Sequence, residues 1–221
     1  IYDKLARNSS NWRSIHQSYL LTLVNLKDYK TAEEFVKKQV KNDPNNLPYK
    51  IDYGVILEMQ TKIKEAEKEF DNVINLAKKD KEKTLVAHAC FEKYDKYEWS
   101  EKLFLEARKH EGVSDKYALQ LGDIYAKMGK KMLMIEEFVK LYNKDEDNAE
   151  YVKGVLQDEI RTEEEMDKLE QYLLGVVQEN PNHTAGNELL LWLYMQQKNF
   201  NKAFLQAKAI DKRFKKQGSQ L

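Results

Sequence analysis

A recurrence at 34 residues constrains the fold of this chain more than any other feature of its sequence. Ala32 in "DYKTAEEF" and Ala66 in "KIKEAEKEF" stand one period apart, and the same step reaches Ser100 in "YEWSEKLF" and Met134 in "KMLMIEEF". Phe70, Phe104 and Phe138 keep the same phase. A second series, "YGVIL" (53–57), "AHACF" (87–91) and "LGDIY" (121–125), recurs at that spacing and sets apolar residues at i, i+3 or i+4 on one helical face. The last part, "NPNHTAGNELLLWLYMQQKNFNKAFLQAKAI", continues the pattern with Leu190, Tyr194, Phe200, Ala203 and Ala207 after a one-residue offset near Ala149. Such a period means small units whose apolar stripes cannot be buried alone, so that consecutive units must stack.

Composition agrees with helical units. The 221 residues include only eight glycines and three prolines, and the long segments between them are rich in Lys, Glu, Leu, Ala, Gln and Met. Strands would need more turns. Lys plus Arg equals Asp plus Glu at 37 each, so no global field holds nucleic acid phosphates or an anionic membrane, and no nucleic-acid partner is expected. No apolar run approaches the roughly 20 residues of a membrane span. Cys90 is the sole cysteine, which excludes an intrachain disulfide and leaves cytoplasm and bacterial envelope equally open. The start at Ile1, without Met or a signal-like segment, leads us to expect an excised or processed fragment. The basic end "DKRFKKQGSQL" lacks the character of a polar capping helix, so further repeats or another domain are expected to follow.

The segments "YALQLGDIYAKMGK" (117–130) and "KDYKTAEEFVKKQVKNDPNN" (27–46) carry a resemblance to the tetratricopeptide repeat family, whose unit is a 34-residue helix-turn-helix. The resemblance implies an all-α solenoid of antiparallel helix pairs, a right-handed superhelix of about six repeats. The expected division is a lead-in or the end of a preceding repeat at 1–12, units 13–46, 47–80, 81–114, 115–148, 150–183 and 184–217, and a tail at 218–221. The family's small residue at the start of the second helix is kept as Ala32, Ala66 and Ala203, relaxed to Ser100, and replaced by Met134 and Leu169. The two replacements predict wider or tilted pairs in the fourth and fifth units. The fifth is also the weakest match, since "EYVKGVLQDEI" lacks the aromatic residue. Pro44 in "KNDPNN" and Pro181 in "ENPNH" read as unit boundaries, because proline cannot continue the preceding helix. Thr162 and Glu165 form a predicted capping box.

Catalytic chemistry finds little support. His16, His88, His110 and His183 include no i, i+4 pair that would present two ligands to one metal ion. There is no Gly-rich phosphate loop and no Gly-x-Ser-x-Gly elbow, and Cys90 sits in an apolar segment that suits packing. We expect no enzyme activity, metal or cofactor. Tyr94, Tyr97 and Trp99, with Phe91 and Phe104, read as core rather than as a base-stacking platform. Met128, Met132 and Met134 read as adaptable packing.

The family's inner surface is lined by the first helix of each repeat. By resemblance this groove takes Gln17, Leu21 and Val24, then Asp52, Val55, Glu58 and Met59, then Val86, Ala89, Glu92 and Lys93. It continues with Gln120, Asp123 and Lys127, then Asp158, and ends with Glu188, Leu189, Trp192 and Met195. The Lys/Asn/Arg carboxylate clamp of some family members is absent, with Gln17, Leu21, Asp52 and Val86 in its place. The resemblance therefore implies a protein-interaction scaffold for a protein or peptide partner. The acidic groove positions suggest a basic or amphipathic helix, and Trp192 is the expected anchor. Two alternatives stand beside this reading: self-association, end to end or through the Leu189–Trp192 region, and a regulatory segment of a longer protein.

Overall fold

The computed structural model describes the backbone of residues 12–218 and the side chains of residues 14–213. The expected lead-in and tail fall outside the described residues apart from Trp12 and Gly218, as do the side chains of the basic segment beyond Arg213. The described residues are helical throughout, with no strand among them. The helices are α1 (Trp12–Asn25), α2 (Tyr29–Asn42), α3 (Leu47–Met59), α4 (Ile63–Ala77), α5 (Lys81–Lys93) and α6 (Tyr97–Glu111). They continue as α7 (Ala118–Lys127), α8 (Lys131–Lys144), α9 (Ala149–Glu159), α10 (Glu163–Glu179), α11 (Thr184–Gln196) and α12 (Phe200–Gly218), with a 3-10 turn at Glu146–Asn148. Short links join them two by two into antiparallel helix pairs, an all-α fold.

The turn inside each pair has a local cause. Lys27, Thr61, Asp95 and Gly129, spaced 34 residues apart, all have positive φ, and Lys198 does the same in the last pair. The next residue in each case, Asp28, Lys62, Lys96, Lys130 and Asn199, donates its N–H to the carbonyl of Leu23, Leu57, Phe91, Tyr125 and Tyr194 at 2.8 to 2.9 Å. This is the Schellman closure, which satisfies the orphan carbonyls of the first helix while reversing the chain. Asp28 and Asn199 then cap the second helix by accepting from the N–H of Thr31 and Lys202. The fifth pair turns differently. Ile160 and Thr162 are extended, and Thr162 and Glu165 exchange both bonds of the predicted capping box.

At "KNDPNN" the chain ends α2 at Asp43, and Asn46 caps α3 by accepting from the N–H of Tyr49 at 3.1 Å. At "ENPNH" the cap of α11 is His183, whose Nδ1 accepts from the N–H of Gly186 at 3.0 Å.

The described residues belong to two compact units, Ile1–Ser114 and Asp115–Leu221. In the first, Tyr19, Leu20, Leu23, Ala32, Phe35, Val36 and Ile56 form one buried cluster, and Ile51, Val55, Phe70, Val73, Phe91 and Leu103 anchor a second. Gly54 lets α3 and α4 meet closely: a Cβ there would lie 2.3 Å from the Phe70 ring. Phe70 in turn meets Phe91 edge-on at 5.5 Å and lies 5.1 Å from Trp99. Phe91 and Phe104 are thus core residues, as the spacing predicts, and half-buried Trp99 packs against that core.

The second unit corrects one expectation. The α7–α8 pair is not widened by Met134, because Gly122 stands on the facing helix and would meet the Phe138 ring at 2.5 Å if it carried a Cβ. Met134 is fully buried, and the small residue has moved to the partner helix. The fifth pair does open. Its α9 and α10 hardly touch each other, and α8 packs directly on α11, where Tyr142 donates its hydroxyl hydrogen to Glu188. Gln157 occupies the position held by Gly54 and Gly122, and buried Leu169 replaces the small residue opposite, so neither helix offers room for close approach.

Candidate functional site

Within the first unit, α1, α3 and α5 bring their equivalent faces together around a cavity of about 240 Å³. Leu20, Leu21, Val24, Val55, Ile56 and Met59 make apolar walls, and Gln17, Ser18, Asp52, Lys93 and Tyr94 supply the polar groups. The first helices of the three pairs place such residues here because positions one period apart share a face when repeats stack.

Asp52 forms the polar floor. It is 2% exposed, within an otherwise apolar helix turn, so its charge needs partners. Its Oδ2 lies 2.6 Å from His16 Nε2 and accepts from Gln17 Nε2 at 3.3 Å. Its Oδ1 accepts from the Tyr94 hydroxyl at 2.5 Å and lies 3.8 Å from Lys93 Nζ. Three successive first helices are therefore tied to one carboxylate. The carboxylate can only accept, so His16 carries its proton on Nε2. His16 Nδ1 is buried without a hydrogen-bond partner among the described residues, and the ring packs 4.4 Å from Tyr49 and 5.6 Å from Phe35. Burial, and then the adjacent Asp52 charge, raise the Tyr94 phenol well above its ordinary range and push the Cys90 thiol up to about 11. That direction keeps Cys90 in its protonated thiol form at neutral pH. Lys93 donates to Gln17 Oε1 and, at 3.0 Å, to the Tyr94 hydroxyl oxygen, with its side chain 46% exposed at the mouth.

Gln17, Leu21, Asp52, Val55 and Met59 are thus gathered around one cavity, but in different roles. Leu21 is 61% exposed at the rim, and Gln17 and Met59 are exposed beside it. Val55 is wall. Asp52 is saturated by its neighbours and presents no free carboxylate. Glu58 is paired with Lys96, and Glu92 is half-buried outside the lining.

In the second unit, Asp123 accepts from the Tyr151 hydroxyl at 2.8 Å, and burial, then this bond, push that phenol up to about 12. Gln120 is half-buried, and Lys127 and Asp158 are exposed. Glu188 is engaged by Tyr142, and Leu189 is fully buried, so neither offers a free contact. Trp192 is half-buried, lining a cavity of about 60 Å³ beside the open fifth pair with Ile160, Met166 and Leu169. The Leu189–Trp192 region is therefore largely core, since Leu189, Leu190 and Leu193 face the neighbouring helices.

The roles of His16 and Tyr94 escape a sequence reading. The one available signal is Asp52 itself, a lone carboxylate in "LPYKIDYGVIL", where a charge among apolar residues implies buried partners. Among the described residues no group of three or more His, Cys, Asp or Glu is placed to hold a metal ion. No described helix is long and apolar enough to cross a membrane.

No protein-family profile matches the chain, and no curated protein matches it. Solved structures do. One is a tetratricopeptide repeat protein from Parabacteroides merdae, 18% identical over 94% of this chain and 80% of that one, with a TM-score of 0.37. YrrB, described as a TPR protein with an unusual peptide-binding site, is 17% identical over 80% of this chain and 91% of its own, with a TM-score of 0.36. MamA is 16% identical over 89% of this chain and 95% of its own, with a TM-score of 0.32.

Proposed function

We propose that this chain is a non-catalytic protein-interaction scaffold that receives a peptide or helix of a partner protein on the surface formed by its first helices. The observation that carries this reading is the apolar cavity between α1, α3 and α5. Small-molecule sites commonly run from about 300 Å³ upward. At about 240 Å³, this one is sized for a large anchoring side chain. Its walls are preformed, its polar floor is saturated, and its rim exposes Leu21 and Met59, an arrangement suited to desolvating a single apolar anchor. Gln17 and Lys93 supply the rim polarity. Trp192 and the exposed Lys127 and Asp158 remain proposed contacts on the second unit.

The test is a peptide-display selection against the purified chain, followed by affinity measurement on wild type and Leu21→Asn. Leu21 is exposed, so the substitution leaves the core intact. Losing most of one apolar contact is expected to weaken binding about tenfold. Selected peptides that bind both proteins equally would remove the cavity from the interaction.

A further inference from the structure

The charges around the cavity say what the anchor should carry beside it, an inference that rests on the scaffold reading above. Two charged residues line the cavity, and they are not equally available. The Asp52 oxygens are occupied by His16, Gln17 and Tyr94, and the residue is 2% exposed. A cation arriving from outside would meet the Lys93 ammonium first and could reach Asp52 only by displacing those donors. Lys93 is the reverse case. Its side chain is 46% exposed at the mouth, and the ammonium is held in place by Gln17 Oε1 and the Tyr94 hydroxyl oxygen. An ammonium has three donors, and since Asp52 Oδ1, at 3.8 Å, is beyond hydrogen-bond reach, the third can still turn to a ligand.

Beyond Asp52, whose Oδ1 lies 3.8 Å from the ammonium, the nearby acid Glu58 does not compete for that position. Glu58 is paired with Lys96, and neither lines the cavity. The cavity therefore shows a ligand apolar walls and one oriented cation, although its net charge with Asp52 is zero. A carboxylate next to the anchor would complement it, and a basic residue there would be repelled at contact distance.

We infer that the occupant is a partner segment in which a large apolar residue is adjacent to an aspartate or glutamate, the apolar side chain filling the cavity and the carboxylate meeting Lys93. Lys93 is then the residue that determines specificity, and the Asp52–Tyr94 contact positions it. This reverses the basic partner expected from the acidic groove positions, because the principal acid among them is buried.

The experiment uses the full chain and amidated, acetylated nonapeptides with a central Leu or Phe flanked by Glu, Ser or Lys, so that only side chains carry charge. The Glu series should bind about fivefold more tightly than the Ser series, as for a partly exposed ion pair, with the Lys series weakest. Lys93→Met keeps the aliphatic stem and should abolish the ranking, and Lys93→Glu should invert it. Circular dichroism confirms that both variants remain folded. A ranking unchanged in either variant, or a wild-type preference for Lys, overturns the inference. Leu21→Asn separates the two levels of the argument. If it weakens all series while charge makes no difference, the carboxylate inference fails and the cavity reading survives. If it changes nothing, both fail. Sedimentation showing concentration-dependent dimers dispersed by Lys93→Glu would assign the cavity to a second copy and overturn the inference as well.

Discussion

Asp52 illustrates how one residue can organise a site without being offered to a ligand. An unpaired carboxylate at that depth would cost several kcal/mol, and the donors from His16, Gln17 and Tyr94 offset that cost only while α1, α3 and α5 stay in register. A second polar residue, His183, has a simpler task, and it can be tested by pH. Its Nδ1 accepts the α11 cap bond only when unprotonated, and burial lowers its pKa below the ordinary value of 6.5. The folded state therefore binds its proton less readily than the unfolded chain. Its contribution is full above pH 6.5 and is lost as pH falls from there through the folded-state pKa. Thermal melts of wild type should lose stability across that window, and His183→Asn, which retains a capping oxygen but does not titrate, should remove that component. An identical pH profile for the variant would exclude the role.

At the scale of elements, the helix pairs are set by two devices, the Schellman turn and a residue small enough to let the helices touch. The turn recurs at Lys27, Thr61, Asp95, Gly129 and Lys198, although only one of these is glycine. Its periodicity is invisible in composition because the backbone conformation is imposed by the helices on either side. The small residue is not tied to one helix, as Gly54 and Gly122 show by admitting Phe70 and Phe138 from the opposite side. This predicts contrasting results for a single chemical change. Gly122→Ala should destabilise by about 1–3 kcal/mol through overpacking against Phe138. Gly154→Ala, in α9 with nothing within 4 Å of the added Cβ, should stabilise by about 1 kcal/mol from helix propensity. Urea denaturation of the two variants beside wild type reads both values, and destabilisation by Gly154→Ala would show that the open fifth pair closes there.

At the scale of the molecule, Ile1–Ser114 and Asp115–Leu221 each have a buried core. Every residue lining the cavity between α1, α3 and α5 lies between Gln17 and Tyr94. Residues 1–114 produced alone should therefore melt cooperatively by circular dichroism and bind cavity ligands with wild-type affinity. A non-cooperative melt would show that the first unit depends on the rest of the chain. The helical class and the pairing of helices were legible because the 34-residue period, the capping box at Thr162 and the boundary at Pro44 depend on neighbours a few residues away. Which groove positions are available was not legible. Leu21 and Leu189 are both groove positions by resemblance, yet one is 61% exposed and the other fully buried. The saturation of Asp52 by His16 and Tyr94, 36 and 42 residues away, likewise appears only after the pairs have stacked. The sequence by itself determined the repeating helical unit, since local backbone and side-chain preferences suffice for that. Only the tertiary structure decided where the fifth pair opens, which charges are neutralised, and which cation is left facing outward, because burial and hydrogen bonding between neighbouring helix pairs depend on packing across the periods.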